Sequence, residues 1–179
     1  MSLIEQLQQV QDFRTQPRYP LWVVLLLVVM GTMSGCFGYR ALADFVARHQ
    51  TALLELMELP HKRLPSYSTI RQVMVRINFE SLTDAFNAWA SETVAVSRGE
   101  QMATDGKSIK ASLSDYEQPY QDFVSVVSAF GVQSGMVRGL LPMHNGSESE
   151  ISTVQDLLSR LNLSGVCFTL DALHTQKNG

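Results

Sequence analysis

The sequence predicts an α+β chain built in two parts. Up to residue 96 the apolar residues recur at three- and four-residue steps, the period of a helix. From Glu100 onward the pattern changes to strand, strand, strand, helix, strand. Between them Ser97-Arg98-Gly99 reads as a linker, so the expected parts are a helical region over 1–97 and a mixed region over 100–179. With 179 residues, 45% hydrophobic and 17% charged, the chain is neither disordered nor fibrous and can bury one ordinary core or two small ones.

Residues 3–13 predict a short amphipathic helix, with Leu3, Leu7, Val10 and Phe13 on one side. Pro17 and Pro20 break it. Leu21–Thr32 predicts an apolar helix. The uncharged run from Tyr19 to Tyr39 has the length of a membrane span, but only Leu21–Met30 is strongly apolar, and three glycines follow. A buried core helix is the expected reading, with a small membrane-anchored protein held by residues 20–39 as the alternative. No cationic region opens the chain, so this run is not a signal peptide.

Tyr39–Leu59 predicts one helix, ended by Pro60. Ile70, Val73, Met74 and Ile77 mark the next, capped by Ser66 or Ser68. Leu82, Phe86, Trp89 and Val94 mark another. In the mixed part the strands fall at 101–105, 121–130, 136–143 and 166–170. A helix over 147–161 has capping-box spacing at Ser147 and Glu150.

Residues 1–99 carry a net charge of +1 and residues 100–179 a net charge of −4, which excludes a globally basic nucleic-acid binder but not a local basic face. Two cysteines and four scattered histidines make neither a disulfide framework nor a zinc site. Between Leu59 and Phe79 there are five basic residues, His61, Lys62, Arg63, Arg71 and Arg76, and no acid. Two helices joined by a turn there fit a helix-turn-helix outline. Arg71 would then reach a groove or phosphate, and Lys62 and Arg63 would neutralise the DNA backbone. A solvated basic face is the alternative.

Asp105, after a short strand, and Asp171, after a buried one, are the candidate catalytic pair. If the helical crossover returns the last strand beside the first, both carboxylates emerge at one edge and suit Mg²⁺ or Mn²⁺. Two such ions can clamp both oxygens of a phosphoryl displacement, with Lys107 holding a phosphate. The alternatives are an Asp105-Gly106 turn and an Asp171 helix cap.

The stretches Arg18-Tyr19-Pro20-Leu21-Trp22, Gly31-Thr32-Met33-Ser34-Gly35-Cys36 and Gly38-Tyr39-Arg40-Ala41-Leu42 are followed by Leu64-Pro65-Ser66 and Asp105-Gly106-Lys107-Ser108-Ile109-Lys110. Ser149-Glu150-Ile151 and Leu170-Asp171-Ala172-Leu173-His174 complete the set. In that order they resemble the H-repeat-associated proteins, bacterial insertion-sequence transposases of the DDE class. The resemblance implies an all-helical transposase-associated domain over 1–97, then a truncated ribonuclease-H-like βββαβ domain over 100–179. It implies metal-dependent strand transfer on double-stranded DNA at the ends of an insertion element, in a bacterial cytoplasm. Asp105 and Asp171 would be the catalytic and metal-binding acids. Lys107 and Lys110, with Lys62, Arg63, Arg71 and Arg76, would contact DNA. The family's third acid belongs on a later helix, and residues 172–179 contain none. The chain is therefore expected to be truncated, to hold its cation weakly or not at all, to transpose poorly alone, and to self-associate. A DNA-binding remnant or repressor without catalysis is the alternative function.

Overall fold

The computed structural model describes residues 1–59, 62–108, 124–144 and 149–170. The chain divides into two compact units. One is Ser2–Leu82. The other is Met1 together with Thr83–Gly179, so the division falls inside the last helix of the first part rather than at Ser97-Arg98-Gly99. Seven helices and a four-stranded sheet are described, a mixed α+β architecture.

In the first unit α1 spans Leu3–Leu7, shorter than the helix predicted to reach Phe13. Ser2 and Glu5 form a reciprocal capping box there, each side chain accepting from the other's backbone N–H. α2, Leu21–Met33, follows Pro20, which pre-sets the backbone for a helix start. Val23, Val24, Leu25 and Leu27 are all buried, so the helix is enclosed on several sides and forms the centre of this unit. Its 13 residues reach about 20 Å, short of a bilayer's hydrocarbon core. Among the described residues no helix is long and apolar enough to cross a membrane.

The helix predicted over 39–59 is two helices. α3, Tyr39–Arg48, and α4, Gln50–Met57, meet at His49, whose backbone leaves helical geometry and whose ring lies 4.8 Å from that of Phe45. The apolar period runs through the break because Leu42, Phe45, Val46, Leu53 and Met57 are buried on both sides of it. Leu56, three residues beyond Leu53, is exposed. α5, Tyr67–Arg76, buries Ile70 and Val73 and packs against α3 and α2. Nine residues, Glu58–Ser66, separate it from α4, against about three or four in a helix-turn-helix. α5 is thus held by α2 and α3, which differs from the helix-turn-helix outline.

α6, Phe79–Thr93, begins at the end of the first unit and continues in the second. The second unit holds β1, Gln101–Ser108; β2, Val124–Gly131; β3, Met136–His144; α7, Glu150–Leu161; and β4, Cys167–Thr169. The sheet order is β3-β2-β1-β4. The first two pairings are antiparallel, and the β1–β4 pairing is parallel. A parallel return needs a crossover, and α7 supplies it. α7 lays Val154 and Leu157 on one sheet face, over Met102, Val127, Ala129 and Leu141. At the β3 edge the Asn87 side chain of α6 bonds both the N–H and the C=O of Leu140, at 2.9 and 2.8 Å, so that edge is not left open there. Arg138 of β3 donates to the Ala90 carbonyl of the same helix.

Gly31 is where α2 and α3 approach most closely. A Cβ there would lie 2.6 Å from a Leu42 methyl and 3.3 Å from the Phe45 ring, both buried. Gly31→Val is expected to destabilise the helical unit by about 1–3 kcal/mol through overpacking, read as a lower urea midpoint. An unchanged midpoint would mean that the two helices separate at little cost.

Candidate site on the central strand

β1 is hydrogen-bonded on both sides, with β2 along one edge and β4 along the other. Its side chains alternate. Met102 and Thr104 are buried beneath α7, whereas Asp105 and Lys107 are exposed. Asp105 was expected at a strand end or in a turn with Gly106. It lies within β1, opposite Ser128, and pairing continues through Gly106 and Lys107 to Ser108. The turn alternative is therefore removed: the Asp-Gly dipeptide is extended because its backbone groups are taken up by β2.

The β1–β4 register is constant, with Gln101 beside Cys167, Met102 beside Phe168 and Ala103 beside Thr169. Two hydroxyl bonds tie the strands together beyond the ladder. Thr104 Oγ1 donates to the Thr169 carbonyl at 3.2 Å, and Thr169 Oγ1 donates to the Met102 carbonyl at 3.3 Å. In sequence Asp105 follows Ala103 by two residues and Asp171 follows Thr169 by two. Asp171 and Lys110 lie outside the described residues.

Gly106 lies beneath the Glu150 side chain, a contact that spacing did not reveal. A Cβ there would come within 2.9 Å of the Glu150 carboxyl carbon, so the first turn of α7 lies directly over this part of β1. Asp105 offers the hard oxygen donors that Mg²⁺ and Mn²⁺ prefer. Among the described residues no three His, Cys, Asp or Glu side chains are grouped to hold a metal.

The start of β1 is held by Glu100, which sequence reasoning did not single out. Glu100 is only 3% exposed. Its carboxylate accepts from the backbone N–H of Ser97 and of Ser134, each at 3.1 Å, and its carbonyl accepts from Cys167 N–H at 2.9 Å. One residue thereby joins the linker, the β2–β3 turn and β4. The Ser134 side chain foremost, then the backbone N–H groups of Ser97 and Ser134, hold its carboxyl below the usual glutamate range, against the opposing effect of burial.

Of the predicted basic residues, Lys62 and Arg63 ahead of α5 and Arg71 and Arg76 on it sit on the other unit and are exposed, whereas Lys107 shares β1 with Asp105. Those on the other unit form no group with Asp105 within one unit. The Arg76 guanidinium lies 5.0 Å from the centre of the Phe13 ring, a cation–π contact that holds it to the N-terminal segment. Ser66 occupies the N-cap position, but its hydroxyl is bonded to those of Ser68 and Thr69 instead of a backbone N–H.

Comparison with known proteins adds a class to this geometry. Residues 4–90 match the family described as DDE_Tnp_1-associated, a stretch that spans the helical unit and most of α6. Over 99% of its length the chain is 27% identical to "Putative transposase YncI" of Escherichia coli O157:H7. Over the same share it is 25% identical to "H repeat-associated putative transposase YhhI" of Escherichia coli strain K12. The chain spans 45% and 46% of these two relatives, about half their length. No solved structure matches it. By sequence the chain is thus similar to H repeat-associated putative transposases at about 25% identity, the resemblance that its ordered motifs suggested.

A lowered Glu100 pKa means that its ionised form stabilises the fold. That contribution is present above the ordinary glutamate value of 4.5 and fades as the pH falls through the depressed one. Glu100→Gln should therefore be less stable than the parent at neutral pH, and the two thermal midpoints should converge as the pH drops below about 4. A gap that stays constant down to pH 2 would show that hydrogen bonding alone, and not charge, does the holding.

Proposed function

We propose that this chain is a transposase-like protein of an insertion element. Its helical unit contacts double-stranded DNA, and its sheet carries two metal-binding aspartates. The carrying observation is the constant parallel register of β1 and β4. Asp105 follows Ala103 by two residues on a face that α7 does not cover, and Asp171 follows Thr169 by the same two residues in sequence, which supports reading the two aspartates as a pair. The strand order 3-2-1-4, with a helix crossing between the third and fourth strands, supports a ribonuclease-H-like sheet.

In this reading Asp105 and Asp171 hold a divalent cation, Mg²⁺ or Mn²⁺, and Lys107 and Lys110 hold a phosphodiester near it. When bound, the cation polarises a phosphoryl oxygen and lowers the pKa of its water. The chain's own residues set the geometry. Glu100 and the two threonine bonds keep β4 against β1, and α7 keeps one face dry. Two carboxylates fill few of the positions around a six-coordinate ion, so this chain alone binds the ion weakly and cuts DNA slowly or not at all. Lys62, Arg63 and Arg71 supply phosphate contacts from an exposed stretch of chain that contains no acid, with Arg76 near its end. The match of residues 4–90 to a transposase-associated family supports assigning DNA contact to this unit.

Mn²⁺ titration followed by electron paramagnetic resonance tests the metal pair. Asp105→Asn and Asp171→Asn should each weaken binding to a similar degree, and the double variant should add little. Wild-type affinity in Asp171→Asn would remove the pairing. On duplex DNA, Lys62→Ala and Arg71→Ala should each lower affinity for all sequences alike and reduce the slope of log K against log salt by about 0.9.

A further inference from the structure

A trough in the helical unit carries an inference that the duplex-contact reading does not contain. Two adjacent cavities, of about 310 and 360 Å³, share Ala43 of α3 and Tyr67 of α5 as lining residues. One continues to Ala47 and Arg63, the other to Arg40 and Asp44. The trough is thus walled by α3 on one side and by the segment leading into α5 on the other. Its lining mixes the small side chains of Ala43 and Ala47 with Val46, Leu64 and Pro65, an aromatic ring is common to both halves, and an arginine stands in each.

We propose that this trough binds unpaired DNA, with a base stacked on Tyr67 and the flanking phosphates on Arg40 and Arg63. Tyr67 is 41% exposed, a large aromatic surface left in contact with water beside a cavity instead of packed in the core. Stacking on such a ring accepts any base, and an arginine on either side of it follows the backbone of a strand. Each cavity lies at the small end of ligand clefts. Alanines at 43 and 47 leave room for a flat ring. Asp44, the acid in the lining, suits a base amino group rather than a phosphate, which places the base at the Tyr67–Asp44 end. The inference rests on the reading that the helical unit contacts DNA, and it extends that reading to a melted strand.

Fluorescence anisotropy with a labelled 12-nucleotide single strand, and with the same strand in a duplex, tests it on the full chain. Tyr67→Ala should weaken single-strand binding about 5- to 100-fold, in line with the loss of one stacked base, and leave duplex binding within about twofold. Tyr67→Phe should bind as the parent does, because the ring is kept. Arg40→Ala should weaken single-strand binding and lower its salt slope by about 0.7. A 2-aminopurine placed in the strand should change its fluorescence on binding to the parent and to Tyr67→Phe, but not to Tyr67→Ala. Circular dichroism checks that each variant is folded; Tyr67 and Arg40 are exposed, so neither change empties the core. Single-strand binding that is unaltered in Tyr67→Ala overturns the inference, as does an unchanged 2-aminopurine signal with the parent. If duplex binds and the single strand does not, only this inference falls. If neither binds, the DNA reading falls with it.

Discussion

The parallel pairing of β1 with β4 is the constraint on which the sheet unit depends. Parallel neighbours cannot be joined by a tight turn, so the chain must leave the sheet after β3 and cross back before β4. α7 is that crossing, and its apolar stripe seals one face of the sheet. Once that face is sealed, period-two alternation decides everything on the other. Met102 and Thr104 point under the helix, while Asp105 and Lys107 face away from it. Slipping β1 by one residue would bury a carboxylate and expose Met102, a double penalty that pins the register. The threonine bonds between β1 and β4 and the Glu100 anchor reinforce the same alignment.

The helical unit rests on a different constraint, the burial of α2 on several sides. A helix so apolar must be covered by neighbours, and α1, α3 and α5 pack against it. Close packing at Gly31 brings α3 in, and α5 then lies on both. Ile70 and Val73 face inward as a result, and Arg71 and Arg76 are left outside with Lys62 and Arg63. The exposed basic surface is the polar remainder of an amphipathic helix whose apolar side is already committed.

Much of this was legible from residue order. The elements from 100 onward fall within a few residues of their predicted places, because alternation and apolar runs are strong local signals. α2 was legible as a core helix from the shortness of its strongly apolar part. Other features were not. Periodicity continues unbroken through His49, so it could not show that α3 and α4 are separate helices. Proximity in sequence suggested that α4 and α5 form a helix-turn-helix, whereas α5 packs on α2 and α3. The Asp105-Gly106 dipeptide carries a turn signal that β2 overrides by pairing. Glu100 and Asn87 look like ordinary polar residues, and their roles depend on strand ends more than thirty positions away.

By itself, then, the order of residues determined the α+β character, most of the succession of helices and strands, the acid-free basic segment and the similarity to putative transposases. These properties are carried by local period, by composition and by motifs within one stretch. Tertiary structure alone decided that β4 lies beside β1, that the Glu150 side chain lies over Gly106, and that Tyr67 and Arg40 line one trough. Each of those is a meeting of residues distant in the chain, and such a meeting is set by which apolar faces must cover one another, which local pattern does not encode.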